Sequence, residues 1–219
     1  DSGSWADWET QVAASTSAPY VPLTSGSEMR DFPRQQAHDR GMAAPCRIHL
    51  LGTFAVDVDG RTVAPRSWHR ESADLVKVLA LAPSHHLEHD EVISRLWPTL
   101  PLPAAHKELL RAVKGVNKAL GDGRAVVMEG TRFRLWPLGE LWVDALAFTA
   151  HAKHSRSIDH RAAALALYRG DLLPEDVDAW WTEPMRTRLR LMHLELLRDP
   201  DSGTPPWIDL RTAALATQS

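Results

Sequence analysis

Cysteine is almost missing from this chain of 219 residues, in which Cys46 is the only one. A single cysteine excludes an internal disulfide and a cysteine-rich zinc module, and it favours a reducing compartment. No apolar run comes near the ~18 uninterrupted residues of a membrane span. The polar, acidic start of the chain does not resemble a secretory signal. These absences predict a cytoplasmic protein with no membrane partner.

The chain also lacks the short motifs that carry much of enzyme chemistry. It holds no GxxxxGK[ST] phosphate loop, no GxGxxG following a strand and no GxSxG elbow. His85, His86 and His89 lack the glutamate of the HExxH pattern, and no cysteine lies near them. The carboxylates of residues 174–178 have the pattern of an exposed loop. We therefore expect no catalysis, no metal and no other cofactor.

Charge is unevenly distributed along the chain, although its formal net value is only −3. Residues 103–136 hold seven lysines and arginines against three acidic residues. Residues 137–185 hold four basic residues against eight acidic ones. Concentration of positive charge in one segment is the pattern expected of a local phosphate-binding face.

The centre of the basic segment predicts an amphipathic helix over residues 104–120. At about 100° per residue, four cations fall within a stripe roughly 60° wide, and four apolar residues centre on the opposite side. The cations are Lys107, Arg111, Lys114 and Lys118, and the apolar residues are Leu109, Val113, Val116 and Leu120. Such a helix can pack on a core while it presents a row of cations to a negatively charged partner.

The elements around this helix follow the order of a winged helix-turn-helix. A strand pair turning at Asp59-Gly60 precedes it, and two helices are predicted at residues 67–82 and 88–97. A hairpin at residues 125–135 follows, and its second strand carries Arg132 and Arg134. A basic helix followed by a basic hairpin is typical of a winged helix that binds DNA.

Further helices are predicted at residues 142–151, 159–168 and 179–197, and their short loops suggest the start of an α-solenoid. About three repeats are needed for a stable solenoid, and this segment has room for hardly two. The predicted organisation is a disordered tail or linker at 1–45, a winged helix at 46–136, a partial all-α domain at 142–198 and an irregular tail at 199–219.

Several segments of the sequence resemble those of the SARP family of bacterial pathway activators. LLGTFAVDVDGRTV, AAHKELLRAVKGVNKALG and GTRFRL resemble its OmpR-type winged helix, and LYRGDLLPEDVDAWW resembles the opening of the bacterial transcriptional activator domain. The resemblance covers residues 47–198. It implies an α+β winged helix with an N-terminal β-hairpin and a C-terminal β-wing, followed by a tetratricopeptide-like helical segment. It also implies promoter binding at direct repeats, with the second domain supporting dimerisation and contact with RNA polymerase.

We therefore predict a sequence-specific DNA-binding transcriptional regulator, an activator of a pathway. The predicted DNA-contacting residues are Lys107, Arg111, Lys114, Asn117, Lys118, Arg132 and Arg134. Asn117 is included because its amide could make a bidentate contact to adenine. The partners expected are promoter DNA, RNA polymerase and a second copy of the chain. Two alternatives remain open: a protein-interaction module with a degenerate winged helix, and the output fragment of a larger multidomain regulator.

Gly115 stands in the middle of the predicted basic helix, where glycine costs roughly 1 kcal/mol relative to alanine. We therefore expect Gly115→Ala to stabilise the helix by about 0.5–1 kcal/mol. The alternative is that Gly115 permits close approach of the DNA backbone or of another helix.

Overall fold

The computed structural model describes residues 44–198, and the predicted tails at 1–45 and 199–219 lie outside this range except for residues 44 and 45. The described range contains six α-helices and two small sheets, so the mixed α and β class predicted from the sequence is confirmed at that level. No helix in this range is both long enough and apolar enough to cross a membrane.

The first sheet has four strands in the order β3-β2-β1-β7. Strands β1 (Cys46–His49), β2 (Ala55–Val58) and β3 (Arg61–Thr62) are antiparallel neighbours. The turn predicted at Asp59-Gly60 is present, with positive φ values of 52° and 72°, as a tight hairpin turn requires. Strand β7 (Leu141–Val143) pairs with β1 in parallel, which the sequence did not indicate.

Three helices follow the first three strands. Helix α1 (Arg70–Ala80) is shorter at both ends than the predicted 67–82, because Pro65–Ser67 forms a separate 3₁₀ turn and an extended His69 caps the helix. Helix α2 (His89–Leu96) begins at a reciprocal capping box made by Glu88 and Glu91. The third helix, α3 (Leu102–Leu120), begins two residues before the predicted start and ends at Gly121 in the left-handed conformation.

The second sheet contains three strands rather than the predicted two-stranded hairpin. Strands β5 (Val126–Glu129) and β6 (Arg132–Leu135) form that hairpin, and β4 (His86–Glu88) pairs with the other side of β6. Sequence reasoning assigned residues 85–89 to a turn entering a helix. It missed β4 because the strand is only three residues long and directly follows two residues with positive φ, Ser84 and His85.

The C-terminal part of the described chain consists of α4 (Asp144–Lys153), α5 (Ile158–Leu167) and α6 (Glu183–Leu197). The predicted helix at 142–151 begins only at Asp144, because the preceding residues belong to β7. The predicted helix at 179–197 is divided into a 3₁₀ turn, Trp180–Thr182, and α6. Each of these helices packs against the other two. Their tetratricopeptide-like character stays a prediction.

A junction connects the first sheet to this helical part. Asp144, only 2% exposed, accepts hydrogen bonds from the backbone N–H groups of Leu50 (2.8 Å) and Leu51 (3.1 Å). An isolated β-bridge joins Leu51 to Leu172, and Leu173 N–H donates to Leu50 C=O at 2.9 Å. The predicted boundary between 136 and 142 therefore lies next to a strand of the first sheet, and one continuous hydrophobic core extends across it.

Candidate nucleic-acid interface

The basic stripe, defined as Lys107, Arg111, Lys114 and Lys118, lies on the exposed side of α3, as predicted. The opposite side of the helix is buried in the core. Its buried residues are Ala105, Leu109, Ala112, Val116 and Leu120. Val113 was assigned to this apolar face but is only partly buried, because at about 100° per residue it lies at the edge of the buried face, roughly 60° from its centre. The helix is therefore held by one face and leaves its cations to solvent.

Gly115 allows α3 to approach α1 closely. A β-carbon built at this position would lie 2.0 Å from Ser72 Oγ and 3.2 Å from Ser72 Cβ. Ser72 is 2% exposed, so it has little room to move away. The expectation that alanine would stabilise this position is therefore wrong, since the larger side chain would overpack the contact between the helices. The alternative, close approach to another helix, describes what is seen.

The four cations of the stripe differ in their charge partners. Arg111 forms an ion pair with Glu108 on the next turn of the helix, at 2.6 Å between Nη1 and Oε1. No carboxylate of residues 44–198 lies within ion-pair distance of Lys107, Lys114 or Lys118. An exposed pair such as that of Arg111 contributes little to stability and can be exchanged for another anion. Three lysines and one exchangeable arginine thus face solvent in a row.

The wing hairpin, defined as β5 and β6 with their turn, carries the other two predicted cations. Arg132 and Arg134 alternate along β6 with the buried residues Phe133 and Leu135, so both arginines lie on its outer face. The turn includes Gly130 at a φ of 64°, a backbone conformation that favours glycine. The hairpin can therefore project two guanidinium groups while its inner face packs on the core.

Both wing arginines already have acidic neighbours. Arg132 bonds to Glu88 of β4, and this contact holds the pKa of the exposed Glu88 carboxyl below its usual value. Arg134 Nη1 lies 3.7 Å from Glu129 Oε2. The contact with Glu88 was not anticipated, because the strand β4 that carries it was not predicted, whereas Glu129 lies within the predicted hairpin. Both carboxylates reduce the local positive charge at the wing, in contrast to the lysines of the basic stripe.

Asn117 connects α3 to the wing hairpin. Its side-chain NH₂ donates to Gly123 C=O at 2.9 Å, and its Oδ1 accepts from Val126 N–H at 2.8 Å. Both ends of the amide are thus used by the backbone that leads into β5. The adenine contact predicted for Asn117 would have to break both hydrogen bonds, so its position favours a role in orienting the wing.

The predicted DNA-contacting residues do not include one residue of the exposed face of α3. Leu110 lies beside the basic stripe, and 41% of its surface is exposed. The signal was available, because an apolar residue one position after Leu109 falls outside the buried period of the helix. An apolar side chain among cations on such a face has the chemistry to contact a thymine methyl group.

The histidines that raised the question of a metal do not converge. His85 is bonded to the Ala80 backbone oxygen at 3.1 Å, and burial lowers its pKa. His89 lies at the start of α2, where it contacts Asp90 and His106 at 2.8 and 2.9 Å. Among residues 44–198, no three histidine, cysteine or acidic side chains are arranged to hold a metal ion.

Cys46 and the acidic loop do not form a reactive site either. Cys46 is buried, and burial followed by the charge of Asp57 raises the pKa of its thiol to about 12, which keeps the thiol protonated. Asp176, in the loop before α6, forms an ion pair with Lys77 of α1 at 2.7 Å. The loop carboxylate is thus engaged in a contact between elements.

Comparison with solved structures found a similar fold in EmbR of Mycobacterium tuberculosis, determined in complex with a low-affinity phosphopeptide. The two chains are 23% identical with a TM-score of 0.58, and the similarity covers 69% of this chain and 43% of EmbR. The chain thus matches less than half of that protein's length. At this identity the similarity shows the fold alone. No protein-family model and no curated protein sequence matches the chain.

Proposed function

We propose that the chain is a DNA-binding transcriptional regulator of the SARP type, in which α3 enters the major groove. The observation that carries this proposal is the basic stripe, which is exposed along a helix whose other face is anchored in the core. The fold similarity to EmbR, itself a SARP-family regulator, supports it. So does the resemblance of the sequence to that family.

The stripe and the wing would contribute differently to binding. Lys107, Lys114 and Lys118 would contact phosphates and supply affinity through counterion release. Arg111 can release Glu108 and reach either a phosphate or a guanine edge, where arginine makes bidentate contacts. The wing arginines, Arg132 and Arg134, would hold the adjacent minor-groove backbone once they exchange their carboxylate partners for phosphate.

The finer features of the proposed function come from the family resemblance. They are activation rather than repression, binding at promoter repeats, contact with RNA polymerase and a homodimer on DNA. The proposed cytoplasmic location comes instead from the single cysteine. Binding at repeats would place two copies of α3 in successive major grooves, about one helical turn apart.

Measurement of DNA affinity against salt concentration tests the proposal. A promoter fragment is titrated with the wild-type chain and with Lys107→Ala, Lys114→Ala and Lys118→Ala. Each lysine that contacts a phosphate should weaken binding and lower the slope of log K against log salt by about 0.9. Arg156→Ala is the matched control, because it removes one exposed cation from the loop between α4 and α5. Unchanged affinity and slope in all three lysine variants would contradict the proposal.

A protein-interaction module is the second candidate function. It is favoured by the carboxylate neighbours of Arg111, Arg132 and Arg134, which offset half of the six predicted cations. It is also favoured by three exposed leucines on α6, Leu191, Leu194 and Leu197. DNA binding that is weak and equal in wild type and Arg156→Ala, with no dependence on the stripe, would favour this function. An output fragment of a larger regulator remains the other alternative.

A further inference from the structure

A cavity opens between the first sheet and the loop that precedes α6, and no residue of the basic stripe lines it. Its volume is about 220 Å³. It is lined by Gly52, Thr53, Phe54, Pro65, Trp68, Lys77, Leu173, Pro174, Glu175 and Asp176. Residues from both sides of the junction therefore form its walls. The volume is below that of a pocket for a drug-sized ligand and suits a molecule with a single ring.

The walls of the cavity are aromatic and apolar. The rings of Phe54 and Trp68 meet edge to face, with centroids 5.5 Å apart. Pro65 and Leu173 add apolar surface on either side of this pair. Phe54 and Trp68 are partly exposed although both pack against the core. A planar or aliphatic group that entered here would remove this aromatic surface from water, which is favourable.

The charges of the cavity are not balanced. Lys77 is the one cation among the lining residues, and it is 7% exposed. Its ammonium group bonds to Asp176 at 2.7 Å and to Asp74 at 3.2 Å, and Asp74 has a second cationic partner in the exposed Arg70 at 3.8 Å. Glu175 adds a further carboxylate at the rim. Burial raises the pKa of Asp74, and the nearby charges of Lys77 and Arg70 partly offset this effect.

The aromatic wall is also suited to cations. Lys77 Nζ lies 5.1 Å from the centroid of the Phe54 ring, within the distance at which a cation is attracted to an aromatic face. The Trp68 ring offers a second and stronger π-system in the same cavity. An anionic ligand would meet Glu175 and Asp176 and find Lys77 already engaged. A cationic ligand would gain chiefly from Glu175, which has no ion-pair partner among residues 44–198, because Asp176 is already paired with Lys77.

We propose that this cavity binds a small organic ammonium ion that carries one apolar ring or an equivalent aliphatic body. The ring packs between Trp68 and Leu173, and the ammonium group faces Glu175. Because these residues come from both sides of the junction, the bound ion links α1 and the first sheet to the loop before α6. This site is additional to the proposed DNA-binding function and does not depend on it.

Titration calorimetry on the full chain tests the site with three probes that share one ring and differ in charge. They are benzylammonium, benzyl alcohol and benzoate. We expect benzylammonium to bind most tightly and benzoate not to bind. The chemical class is wrong if the three probes bind equally, or if benzylammonium gives no binding heat.

Variants of the exposed Glu175 locate the binding. Glu175→Gln should weaken benzylammonium about fivefold, the effect of one exposed charge a few ångströms away. Glu175→Lys should weaken it at least about tenfold and improve benzoate. Glu195→Gln on α6, which removes the same charge elsewhere, should change neither. Unchanged benzylammonium affinity in Glu175→Lys would overturn the proposed site.

Trp68→Leu separates the aromatic contribution from the ionic one. We expect benzylammonium to bind several-fold more weakly to this variant, because the cation–π contact and the ring surface are lost. Circular dichroism confirms that the variant is folded before the titration. Full affinity in a folded Trp68→Leu protein would show that the probe binds outside the cavity, and the proposal would fail.

Discussion

The three lysines of the basic stripe on α3 and Arg186 of α6 have opposite surroundings. Lys107, Lys114 and Lys118 face solvent, and no carboxylate of residues 44–198 pairs with them. Arg186 of α6 is 8% exposed, and its guanidinium group donates to the backbone oxygens of Leu172, Leu173 and Asp176. Sequence position and residue type alone do not distinguish these roles. The roles differ because, within the part of the chain that the structure describes, the fold supplies internal hydrogen-bond acceptors to Arg186 and none to the stripe lysines.

This difference separates cations that stabilise the structure from cations that are available to a partner. A guanidinium group with several internal acceptors cannot leave them without exposing unsatisfied carbonyl groups. A solvated lysine loses only water and counterions when it meets a phosphate. We therefore expect substitution of Arg186 to change stability and substitution of the stripe lysines to change binding.

The largest expected effect is that of Arg186→Ala. It removes hydrogen bonds to three backbone oxygens near the junction, so the free energy of unfolding should fall by about 3–5 kcal/mol. Chemical denaturation measures this loss. Lys114→Ala is the comparison and should change stability by less than about 0.5 kcal/mol. Equal effects of the two substitutions would remove the distinction between the two groups of cations.

Gly115→Ala should have an intermediate effect. The new β-carbon would meet Ser72 at distances of 2.0 and 3.2 Å, so we expect a loss of about 1–3 kcal/mol in the free energy of unfolding. In a double-mutant cycle, Ser72→Ala should recover part of this loss, because it removes the closer of the two atoms. A Gly115→Ala variant that is more stable than wild type would restore the original expectation.

The smallest effect is expected at Asp171, whose carboxylate bonds to Arg190 and Tyr168. Hydrogen bonds from Arg190, then Tyr168, hold the pKa of Asp171 below its usual value of 3.8. Its contribution to stability is thus complete above the unfolded-state pKa and is lost as the pH falls through the lower folded-state pKa. Asp171→Asn should lower the melting temperature at pH 7 and reduce its further fall under acid. An identical acid dependence of variant and wild type would contradict this assignment.

The sequence was most informative where one periodic pattern settled the structure. Helix α3 has a 3.6-residue apolar period over five turns, so its presence, its exposed cations and most of its buried face could be predicted. The Asp59-Gly60 turn was likewise predictable, because few dipeptides accept positive φ at both positions. Both features depend on neighbouring residues alone.

What could not be predicted depends on residues that are distant in the sequence. The clash that makes Gly115 necessary involves Ser72 on another helix, and the partner of Arg132 is Glu88 on an unpredicted strand. Asn117 was predicted to contact DNA because its side-chain amide can form hydrogen bonds with a base as well as with the protein backbone. The structure shows that both the NH₂ and the Oδ1 of this amide are hydrogen-bonded to the backbone of the following segment, at Gly123 and Val126.

The parallel pairing of β1 with β7 has a consequence for synthesis of the chain. Cys46 pairs with Leu141, which leaves the ribosome 95 residues later. At a translation rate of about 5–20 residues per second, one edge of β1 stays open for roughly 5–20 s. An open strand edge is a site for pairing with other nascent chains. Strand β7, which is translated just before α4, thus covers the open edge of β1. Slow translation up to β7 would lengthen the time during which this edge can pair with other chains.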